Sequence, residues 1–572
     1  MKNSLFAVPK ATFIALVFLA AALAWLLPNH YFPWVTAYQE FLMFLAAIGF
    51  YALVVFISRD GLYFPILSVF FLVVAVIPLL QWYADVIFFF GDALVAAIYL
   101  AAFGLCVSAG YSFCRARGDS YQLVSVFFFV VSLSAGISVW IALRQWLQLS
   151  GSIWVADLMP GGRPYANFAQ PNNFASFLVA ALLGIAYFFE RGRIGRLSAG
   201  LVTVFLLVGL ALTQSRTPLA IMCVLIPAWF WLSRRVFLRL RVIWVLGFFA
   251  LYLILFWLLP FLSEWLLLPE ASGLERLSGG AHRLDIWWQL LLAVKDASLW
   301  GYGWNQVSVA QVYASQLHYA PFLVEHSHNI VLDVLLWNGA ILGGLLVVFF
   351  ALWFLRVFFL IKSIEGFFAF LVVCVFVVHG CFEYPLEYAY FLLPLGVIAG
   401  VAIYNVGNVC VVPVSRFLGC CVLVFSVFGF VLIYREYSLL HSDSLEMRFE
   451  ASGIGERNGS PPPEVLMLTQ LSSFIEFARM QAEPGMTADE LEFMRKVAVR
   501  YPFPPCLFRY GLALALNGRI GDAREQMLIL KSLHAPENYT EARNGLEIMS
   551  EKYPELTGLI DVLPLPDAEL SE

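Results

Sequence analysis

Residues 197–233 read LSAGLVTVFLLVGLALTQSRTPLAIMCVLIPAWFWLS. Two apolar runs, 197–213 and 217–233, are joined by a very short polar connection around Arg216. Each run is just long enough to cross the hydrocarbon core of a bilayer as an α-helix. This stretch therefore predicts two transmembrane helices joined by a tight turn.

Similar runs recur along the chain and decide its class. Hydrophobic residues make up 61% of the 572 residues and charged residues 13%, which excludes a soluble protein of this length. The net charge of -5 predicts no nucleic-acid partner. We predict thirteen spans, with cores near 11–27, 41–58, 64–82, 92–113, 121–143, 171–189, 197–213, 217–233, 242–262, 330–354, 366–381, 389–407 and 417–434.

Lysine and arginine residues are concentrated in alternate loops. Lys2 and Lys10 precede the first span, and clusters such as Arg191 to Arg196 follow every second span. By the positive-inside rule these segments face the cytoplasm. The loop 263–329 then lies on the opposite side, together with the C-terminal tail if thirteen spans are present. The first span lacks a clear cleavage site, so we expect it to be retained.

The chain is predicted to have three parts. Residues 1–435 form a multi-span membrane domain with a long outer loop at about 263–329, and 436–463 form a linker that is partly Gly-, Ser- and Pro-rich. Residues 464–572 form a small soluble helical domain, with helices predicted at about 464–482, 487–500, 506–517, 520–533 and 538–552. Its stretch Leu507–Leu533 resembles one tetratricopeptide-type (TPR-like) helix pair, which could be a helical cap or a docking surface for a partner protein.

Polar residues gather in five outer segments, and the first two carry arginines. GRPYANFAQPNNF begins at Gly162, and TQSRTP begins at Thr213. Amides beside a helix N-terminus can bind an anion or a sugar, although they can equally cap the helix. A guanidinium suits phosphate oxygens, although it can also snorkel to lipid head groups. The candidates are Arg163, Asn167, Gln170, Asn172 and Arg216.

The third and fourth segments belong to the 263–329 loop. RLDIWW begins at Arg283, and residues 282–297 have the spacing of an interfacial helix that brings Arg283 within one turn of Trp287. Glu325-His-Ser-His-Asn329 precedes the tenth span. An imidazole titrates near neutral pH, so His326 or His328 could act as a general base, while helix capping and metal binding are the alternatives.

The fifth segment is His379-Gly-Cys-Phe-Glu-Tyr-Pro385, in which Glu383 and Tyr384 are candidates for substrate binding. The nine cysteines include no CxxC metal pattern. No DxD-like carboxylate pair is present to hold a divalent cation. We therefore expect a site without a metal ion.

Together these segments resemble the O-antigen ligase and polymerase superfamily, and most closely its protein O-oligosaccharyltransferases of PglL type, the pilin glycosylation ligases. GRPYANFAQPNNFASFL, LTQSRTPL, RLDIWW, HSHN and FEYPLEYAYFLLPLG look like the motifs of that branch, in the same order over roughly 150–400. One departure concerns the His-Asn-x9-Gly-x-x-Gly motif, in which Gly339 fits but Leu342 stands where the second glycine belongs.

The resemblance implies an all-α, GT-C-like polytopic protein of the Gram-negative inner membrane, with the active site and the C-terminal domain facing the periplasm. It implies en bloc transfer of a glycan from undecaprenyl pyrophosphate to Ser or Thr of a pilin or other exported protein, without a metal or cofactor and with inversion. Arg216 and Arg283 would hold the pyrophosphate, and His328 would act on the acceptor hydroxyl. The expected substrate-binding residues are Arg163, Asn167, Gln170, Asn172, Trp287, His326, Asn329, Glu383 and Tyr384.

Two other functions are compatible with parts of the pattern. An O-antigen ligase or polymerase of the same superfamily would transfer glycan to lipid A-core or to a growing glycan. A membrane transporter would place polar residues near mid-membrane, whereas here the spans are nearly free of charge and the polar groups lie in outer loops. The soluble tail and the QPNN and EYP segments favour the protein-modifying branch.

Overall fold

The computed structural model describes residues 7–149, 151–269, 273–454 and 461–566, and it describes no side chains for 7–11 and 273–282. Along the chain the elements are α1 (Ala7–Leu26), α2 (Ala37–Ile57), β1 (Leu62–Pro65), α3 (Ile66–Val74), α4 (Val76–Tyr83), α5 (Phe90–Arg117), α6 (Tyr121–Trp146), α7 (Pro171–Glu190), α8 (Arg196–Leu212), α9 (Thr217–Leu232) and α10 (Val242–Trp265). They continue with α11 (Gly273–Asp296), α12 (Val307–Ala314), α13 (Ile330–Leu360), α14 (Ile364–Gly380), α15 (Ala389–Val406), β2 (Val411–Val414) and α16 (Arg416–Ala451). The last helices are α17 (Thr469–Arg479), α18 (Ala488–Arg500), α19 (Pro504–Leu516), α20 (Ile520–Leu533), α21 (Pro536–Ser550) and α22 (Thr557–Val562).

The apolar helices coincide with the predicted spans and establish a polytopic membrane protein. Within the described ranges, nine apolar helices are long enough to cross a membrane. Four of the predicted spans fall on shorter apolar helices in the described part of the chain, namely Thr12–Leu26, Arg196–Leu212, Thr217–Leu232 and Ile364–Gly380. The interfacial-type helix predicted at 282–297 lies within α11.

The chain divides into two compact units. The first contains 1–76, 98–272 and 349–434, and the second contains 77–97, 273–348 and 435–572. The helices predicted at the C-terminus all form, as α17 to α21. They do not form a compact unit by themselves, because their unit also includes α12 and the segment before α5.

Helix α14 lies at the centre of the first unit. Every residue from Glu365 to Phe376 on it is buried, and the helix packs against α7, α9 and α15. Helices α5 and α15 approach closely because a Cβ atom at Gly110 would collide with the Val397 carbonyl, and one at Gly400 with the Val107 carbonyl. Such close contact of small residues is the usual way to pack helices in lipid. The strands β1 and β2 pair antiparallel, with Leu62 opposite Val414.

The second unit has its own apolar core. Phe89, Val309 and Val312 share one hydrophobic cluster with Met494 and Leu530 of the C-terminal helices. Local signals set the helix starts, since Thr487 and Glu490 form a capping box at α18 and prolines occupy the first turns of α19 and α21. The C-terminal helices therefore complete a core that begins much earlier in the sequence.

Much of the predicted linker 436–463 is helical, because α16 extends to Ala451. Polar side chains after residue 435 form hydrogen bonds and ion pairs with the C-terminal helical region. The Glu436 carboxylate accepts hydrogen bonds from the N–H groups of Leu466, Met467 and Leu468 at 2.9–3.0 Å. Asp443 pairs with Arg479 at 2.9 Å. These bonds join the first part of the predicted linker to the helices that follow it, and residues 455–460 of its Gly-, Ser- and Pro-rich part lie outside the described residues.

Helix α13 is interrupted at Gly339, which has φ 73° and ψ 166°. The interruption exposes the carbonyls of Leu336 and Trp337, which accept hydrogen bonds from the N–H groups of Tyr302 (2.8 Å) and Gly303 (3.2 Å). The Trp300-Gly-Tyr-Gly-Trp304 segment is thereby fixed against the helix. Only glycine suits this backbone, so Gly339 has a structural role in the motif that begins at His328.

We expect Gly339→Ala to lower the free energy of unfolding by about 1–3 kcal/mol, the typical cost of a strained backbone. A Cβ atom there would lie 2.7 Å from the Ser298 carbonyl oxygen and 2.8 Å from that of Leu299. Gly344→Ala is the matched control, because its Cβ would meet open space. The control should be neutral or stabilising, and denaturation in detergent micelles measures both. Equal stability of the two variants would contradict this account of the kink.

Candidate active site

The candidate residues fall into two polar groups, one in each unit. In the first unit, Glu383 is only 2% exposed and accepts hydrogen bonds from Gln170 Nε2 at 3.2 Å and Asn172 Nδ2 at 2.8 Å. The Asn172 Oδ1 atom accepts a bond from Ser215 Oγ at 2.7 Å. The structure thus brings two predicted amides together around the buried carboxylate of a third predicted residue. It adds Ser215, which the sequence did not single out.

Local backbone geometry explains why these side chains meet. Gln170 is extended, with φ -142°, and precedes Pro171 at the first position of α7. Asn172 therefore lies in the first turn of that helix. Arg216 is exposed and stands at the start of α9, after a turn in which Gln214 has φ 45°. Arg163, from the loop before α7, donates to the Gln214 carbonyl at 3.3 Å and so contacts the turn that carries Arg216.

Asn167 holds the loop before α7 in place. Its Nδ2 donates to the carbonyls of Leu26 (2.6 Å) and Trp154 (3.0 Å), and its Oδ1 accepts from the N–H of Ala156 (3.0 Å). The side chain is 2% exposed. Because its amide already binds three backbone groups, we infer that Asn167 positions this loop and does not contact substrate directly.

Tyr384 begins a row of aromatic rings at the start of α15. Its ring centroid is 6.0 Å from that of Tyr388, which stacks on Tyr390 at 5.0 Å. The buried Glu40 carboxylate accepts bonds from the Ala389 N–H at 2.5 Å and from Tyr99 Oη at 3.1 Å. Glu40 thereby fixes the backbone beside the row. A lone carboxylate directly before the predicted span 41–58 was the signal for it, and the sequence interpretation did not use that signal.

His379 is a second group that our sequence interpretation left out. It is fully buried, and its Nδ1 lies 2.9 Å from Ser176 Oγ. It stands one helical turn before Glu383, whose N–H donates to the His379 carbonyl at 2.9 Å. His379 thus links α7 to the turn that presents the Glu383 carboxylate. The quoted HGCFEYP segment contained this residue, but its burial could not be read from the sequence.

In the second unit, the 325–329 segment is fixed on both sides of His328. The Ser327 carbonyl accepts a bond from Trp287 Nε1 at 2.7 Å, and the Ser327 N–H donates to Asp333 Oδ1 at 2.8 Å. Asn329 Oδ1 accepts from the N–H of Val331 at 3.0 Å and so caps α13. Trp287 and Asn329, both predicted to bind substrate, thus have clear positioning contacts.

The two histidines of this segment stand in different surroundings. His328 is half-buried and has φ 58°, a left-handed backbone that non-glycine residues seldom adopt. His326 is also half-buried, but its Nδ1 has no contact with solvent. Burial, together with smaller contributions from the charges of His328 and Arg500, lowers the pKa of His326 to about 3. At neutral pH His326 is therefore uncharged and a poor proton acceptor.

Arg283 lies on α11, one turn before Trp287, and is half-buried. The helix is joined to the segment before α13 through two buried glutamines. Gln289 donates to the His318 carbonyl at 2.6 Å, and Gln311 donates to Gln289 Oε1 at 3.0 Å. Across the part of the chain that the structure describes, no three His, Cys, Asp or Glu side chains are grouped as metal ligands.

Glu383→Ala should lower the free energy of unfolding by about 1–3 kcal/mol for each amide left without an acceptor. Glu383→Gln is the matched variant. Its amide can keep the bond from Asn172, while the Gln170 amide can turn over to accept the new N–H. We therefore expect Glu383→Gln to stay close to the wild type in stability. Thermal denaturation of the purified protein measures both, and equal stability of Glu383→Ala and wild type would contradict the network.

Comparison with known proteins identifies the family. A family model described as O-Antigen ligase matches residues 201–348, and one described as Virulence factor membrane-bound polymerase, C-terminal, matches 367–546. A general O-oligosaccharyltransferase of Acinetobacter baylyi is 32% identical over 546 residues, which cover 94% of this chain and 95% of that protein. The chain belongs to the bacterial O-oligosaccharyltransferases of the O-antigen ligase superfamily.

A further relative agrees with this placement. A ComP-specific O-oligosaccharyltransferase of the same organism is 28% identical over 442 residues, or 74% of this chain and 78% of that protein. No solved structure matches this O-oligosaccharyltransferase. The family resemblance predicted from the motifs is confirmed, and the protein is a glycosyltransferase. Membership favours O-oligosaccharyl transfer over the lipid A-core ligase and transporter alternatives.

Proposed function

We propose that this O-oligosaccharyltransferase moves a preassembled glycan en bloc from undecaprenyl pyrophosphate to Ser or Thr hydroxyls of pilin or other periplasmic proteins. The observation that carries the proposal is the match, over nearly its full length, to a protein named general O-oligosaccharyltransferase. A second relative is named for one acceptor, ComP. Polar residues stand at the starts of α7, α9 and α13, which are apolar helices. Residues at the ends of membrane helices lie near the membrane surface, and this supports a donor whose lipid remains in the membrane.

The reaction forms one bond and breaks one. The acceptor oxygen attacks the anomeric carbon, the bond from that carbon to the pyrophosphate oxygen breaks, and the electron pair leaves with undecaprenyl pyrophosphate. The hydroxyl proton passes to His328, which acts as general base. The low pKa of His326 supports this assignment, since an imidazole that is protonated only near pH 3 accepts a proton weakly.

Arg216 and Arg283 would bind the pyrophosphate as negative charge develops on its oxygens. A planar guanidinium offers two parallel N–H donors to a phosphate, and a partly dehydrated site strengthens that interaction. The two cations would replace the divalent metal that many glycosyltransferases use, so we propose metal-independent transfer. Arg163 would reinforce the same turn as Arg216 through its bond to the Gln214 carbonyl at 3.3 Å.

The remaining candidates would orient the sugar and the acceptor. Glu383 is held by Gln170 and Asn172, and polar side chains of these types hydrogen-bond sugar hydroxyls. Tyr384 would offer an aromatic face to the glycan. In the second unit, Trp287 and Asn329 would act mainly by fixing the backbone around His328, and His326 would support the segment as a neutral group.

The membrane arrangement in this proposal has thirteen spans in a GT-C-like fold of the inner membrane, which puts the active site and the C-terminal helices in the periplasm. The four shorter apolar helices would then cross a locally thinned part of the bilayer. Helices α19 and α20 pack against each other, and a Cβ atom at Gly511 would be in ordinary van der Waals contact with α20, 3.6 Å from the Ala523 carbonyl oxygen. This packing supports a TPR-like pair, for which we propose a role as docking surface for the acceptor protein.

The test is a competition between two acceptors. Purified protein would be incubated with a lipid-linked oligosaccharide, a pilin-like protein and lipid A-core, with and without EDTA. We expect glycan on the protein and no effect of EDTA. Glycan on lipid A-core alone would overturn the acceptor, and loss of transfer in EDTA restored by a divalent cation would overturn metal independence. Product NMR that shows a retained anomeric configuration would refute single-step inversion.

A further inference from the structure

A buried ion pair joins the C-terminal helical region to the start of α5. Arg500, the last residue of α18, makes two parallel bonds to the Asp92 carboxylate, each of 3.0 Å. The two side chains are only 14% and 6% exposed. Two parallel bonds from a guanidinium to a carboxylate fix its position as well as its charge.

Further contacts of the second unit hold this pair in place. The Arg500 carbonyl accepts a bond from Ser308 Oγ on α12 at 3.0 Å. The N–H of Gly91, next to Asp92, donates to Thr469 Oγ1 at 2.9 Å, and a Cβ at Gly91 would meet the Met467 carbonyl oxygen at 2.6 Å. The backbone on each side of the pair is therefore fixed to a further segment of the unit, at Ser308 on one side and at Met467 and Thr469 on the other.

Helix α12 connects this pair to the segment that contains His328. Its Ser308 bonds the Arg500 carbonyl, while its Gln311 donates to the Phe322 carbonyl at 2.8 Å and accepts from the Val324 N–H at 3.0 Å, directly before Glu325. In agreement with this placement, the Arg500 charge contributes to the lowered pKa of His326, and the Glu325 carboxylate contributes to the raised pKa of Arg500. Glu325 and His326 immediately precede Ser327. The Ser327 backbone, on the N-terminal side of His328, bonds to Trp287 and Asp333. A buried cation supplied by the C-terminal region thus lies within electrostatic range of the proposed catalytic segment.

We propose that Arg500 is a positioning residue for the 325–329 segment, and that its charge, held by Asp92, orders Glu325 and His326 so that His328 keeps one orientation. The C-terminal helices would then be part of the catalytic machinery as well as a surface for partners. The effect on transfer rests on the function proposed above, whereas the effect on the order of the segment does not.

The test compares two arginines in equally buried ion pairs. Arg479 is 14% exposed and pairs with Asp443 and Glu450, each 13% exposed, so Arg479→Met is a matched control for Arg500→Met. In the full-length protein we expect similar drops in melting temperature. Only Arg500→Met should speed hydrogen exchange of residues 323–329 and lower kcat, by about 10- to 100-fold, as expected for a displaced catalytic group. KM for the lipid-linked donor should change little.

A double variant in which both members of the ion pair are neutral distinguishes the effect of the lost charge from the effect of lost packing. Asp92→Asn with Arg500→Gln keeps a polar contact, so we expect it to recover much of the melting temperature but neither the slow exchange nor kcat. If it restores all three, or if Arg500→Met matches Arg479→Met in exchange and kcat, the proposal is overturned. Should Arg500→Met fail to fold, Arg500→Lys replaces it, with exchange and kcat nearer the wild type because the charge remains.

The two proposals can fail separately. Full transfer by a variant without the His328 imidazole would overturn the assignment of the base, yet faster exchange of 323–329 in Arg500→Met would still support the positioning role. Slow exchange in Arg500→Met together with an inactive His328 variant would have the opposite meaning. In that case the base assignment stands and the role of Arg500 falls.

Discussion

Replacing His328 by asparagine is expected to lower kcat by about 10²- to 10⁴-fold, the range that a general base contributes. Asparagine is the right substitute because it tolerates the left-handed backbone seen at this position, with φ 58°. Alanine would add backbone strain and mix a folding effect with a chemical one. The expected loss of kcat is large because asparagine cannot accept the proton that the imidazole is proposed to take. A glycan-transfer assay with purified lipid-linked donor measures it.

His318→Asn is the control for this experiment. His318 lies in the same part of the chain, with its Nε2 3.9 Å from Asp285 Oδ1, and it has no role in the proposed reaction. Its transfer rate should stay near that of the wild type. His326→Asn should fall between the two, because His326 is a neutral neighbour. Loss of activity in His318→Asn as large as in His328→Asn would show that the assay reports general damage rather than removal of a base.

Hydropathy and periodicity predicted the local elements well. Every predicted span overlaps apolar helical structure, but four of these helices are shorter, and the span at 64–82 falls on the two helices α3 and α4. Helices α18 to α20 lie within two residues of the helices predicted at 487–500, 506–517 and 520–533. These signals are local, since a span needs only a long apolar run and a surface helix only a periodic pattern. They carry no information about which distant helices share a core.

The packing of the C-terminal region was the main feature that the sequence did not predict. It was treated as a separate domain after a linker, yet Asp92 and Arg500 pair across 408 residues of sequence. A carboxylate at a span boundary and an arginine at a helix end are each ordinary, and nothing local indicates that they meet. Likewise Glu436, within the predicted linker, bonds the backbone before α17.

Prediction of the site succeeded where residue type and spacing were both unusual. The quoted segments contained Gln170, Asn172 and Glu383, and the structure joins them. The sequence could not distinguish the role of Asn167 from the roles of these residues. An asparagine in a loop gives the same sequence pattern whether its amide binds a ligand or, as here, three backbone groups. Direct contact of Gln170, Asn172 and Glu383 with the substrate stays a prediction.

Arg216→Met and Arg283→Met should each reduce kcat/KM by about 10²- to 10³-fold, by analogy with the loss of one donor to a developing oxyanion. The leaving pyrophosphate gains negative charge as its bond to the anomeric carbon breaks, so a cation that binds it stabilises the transition state more than the ground state. We therefore expect most of the loss in kcat rather than in KM. Transfer assays at several donor concentrations separate the two parameters.

Two further variants make this prediction specific to the guanidinium. Arg216→Lys keeps the charge but loses the planar fork, so it should recover only part of the activity. Arg144→Met removes an arginine from the end of α6, in the same unit as Arg216, whose side chain bonds the Leu149 carbonyl at 3.3 Å and lies over the Trp140 ring. Because Arg144 belongs to none of the motifs, its loss should leave kcat/KM nearly unchanged. A similar loss in Arg144→Met and Arg216→Met would mean that positive charge at the membrane surface, rather than a bound pyrophosphate, accounts for the effect.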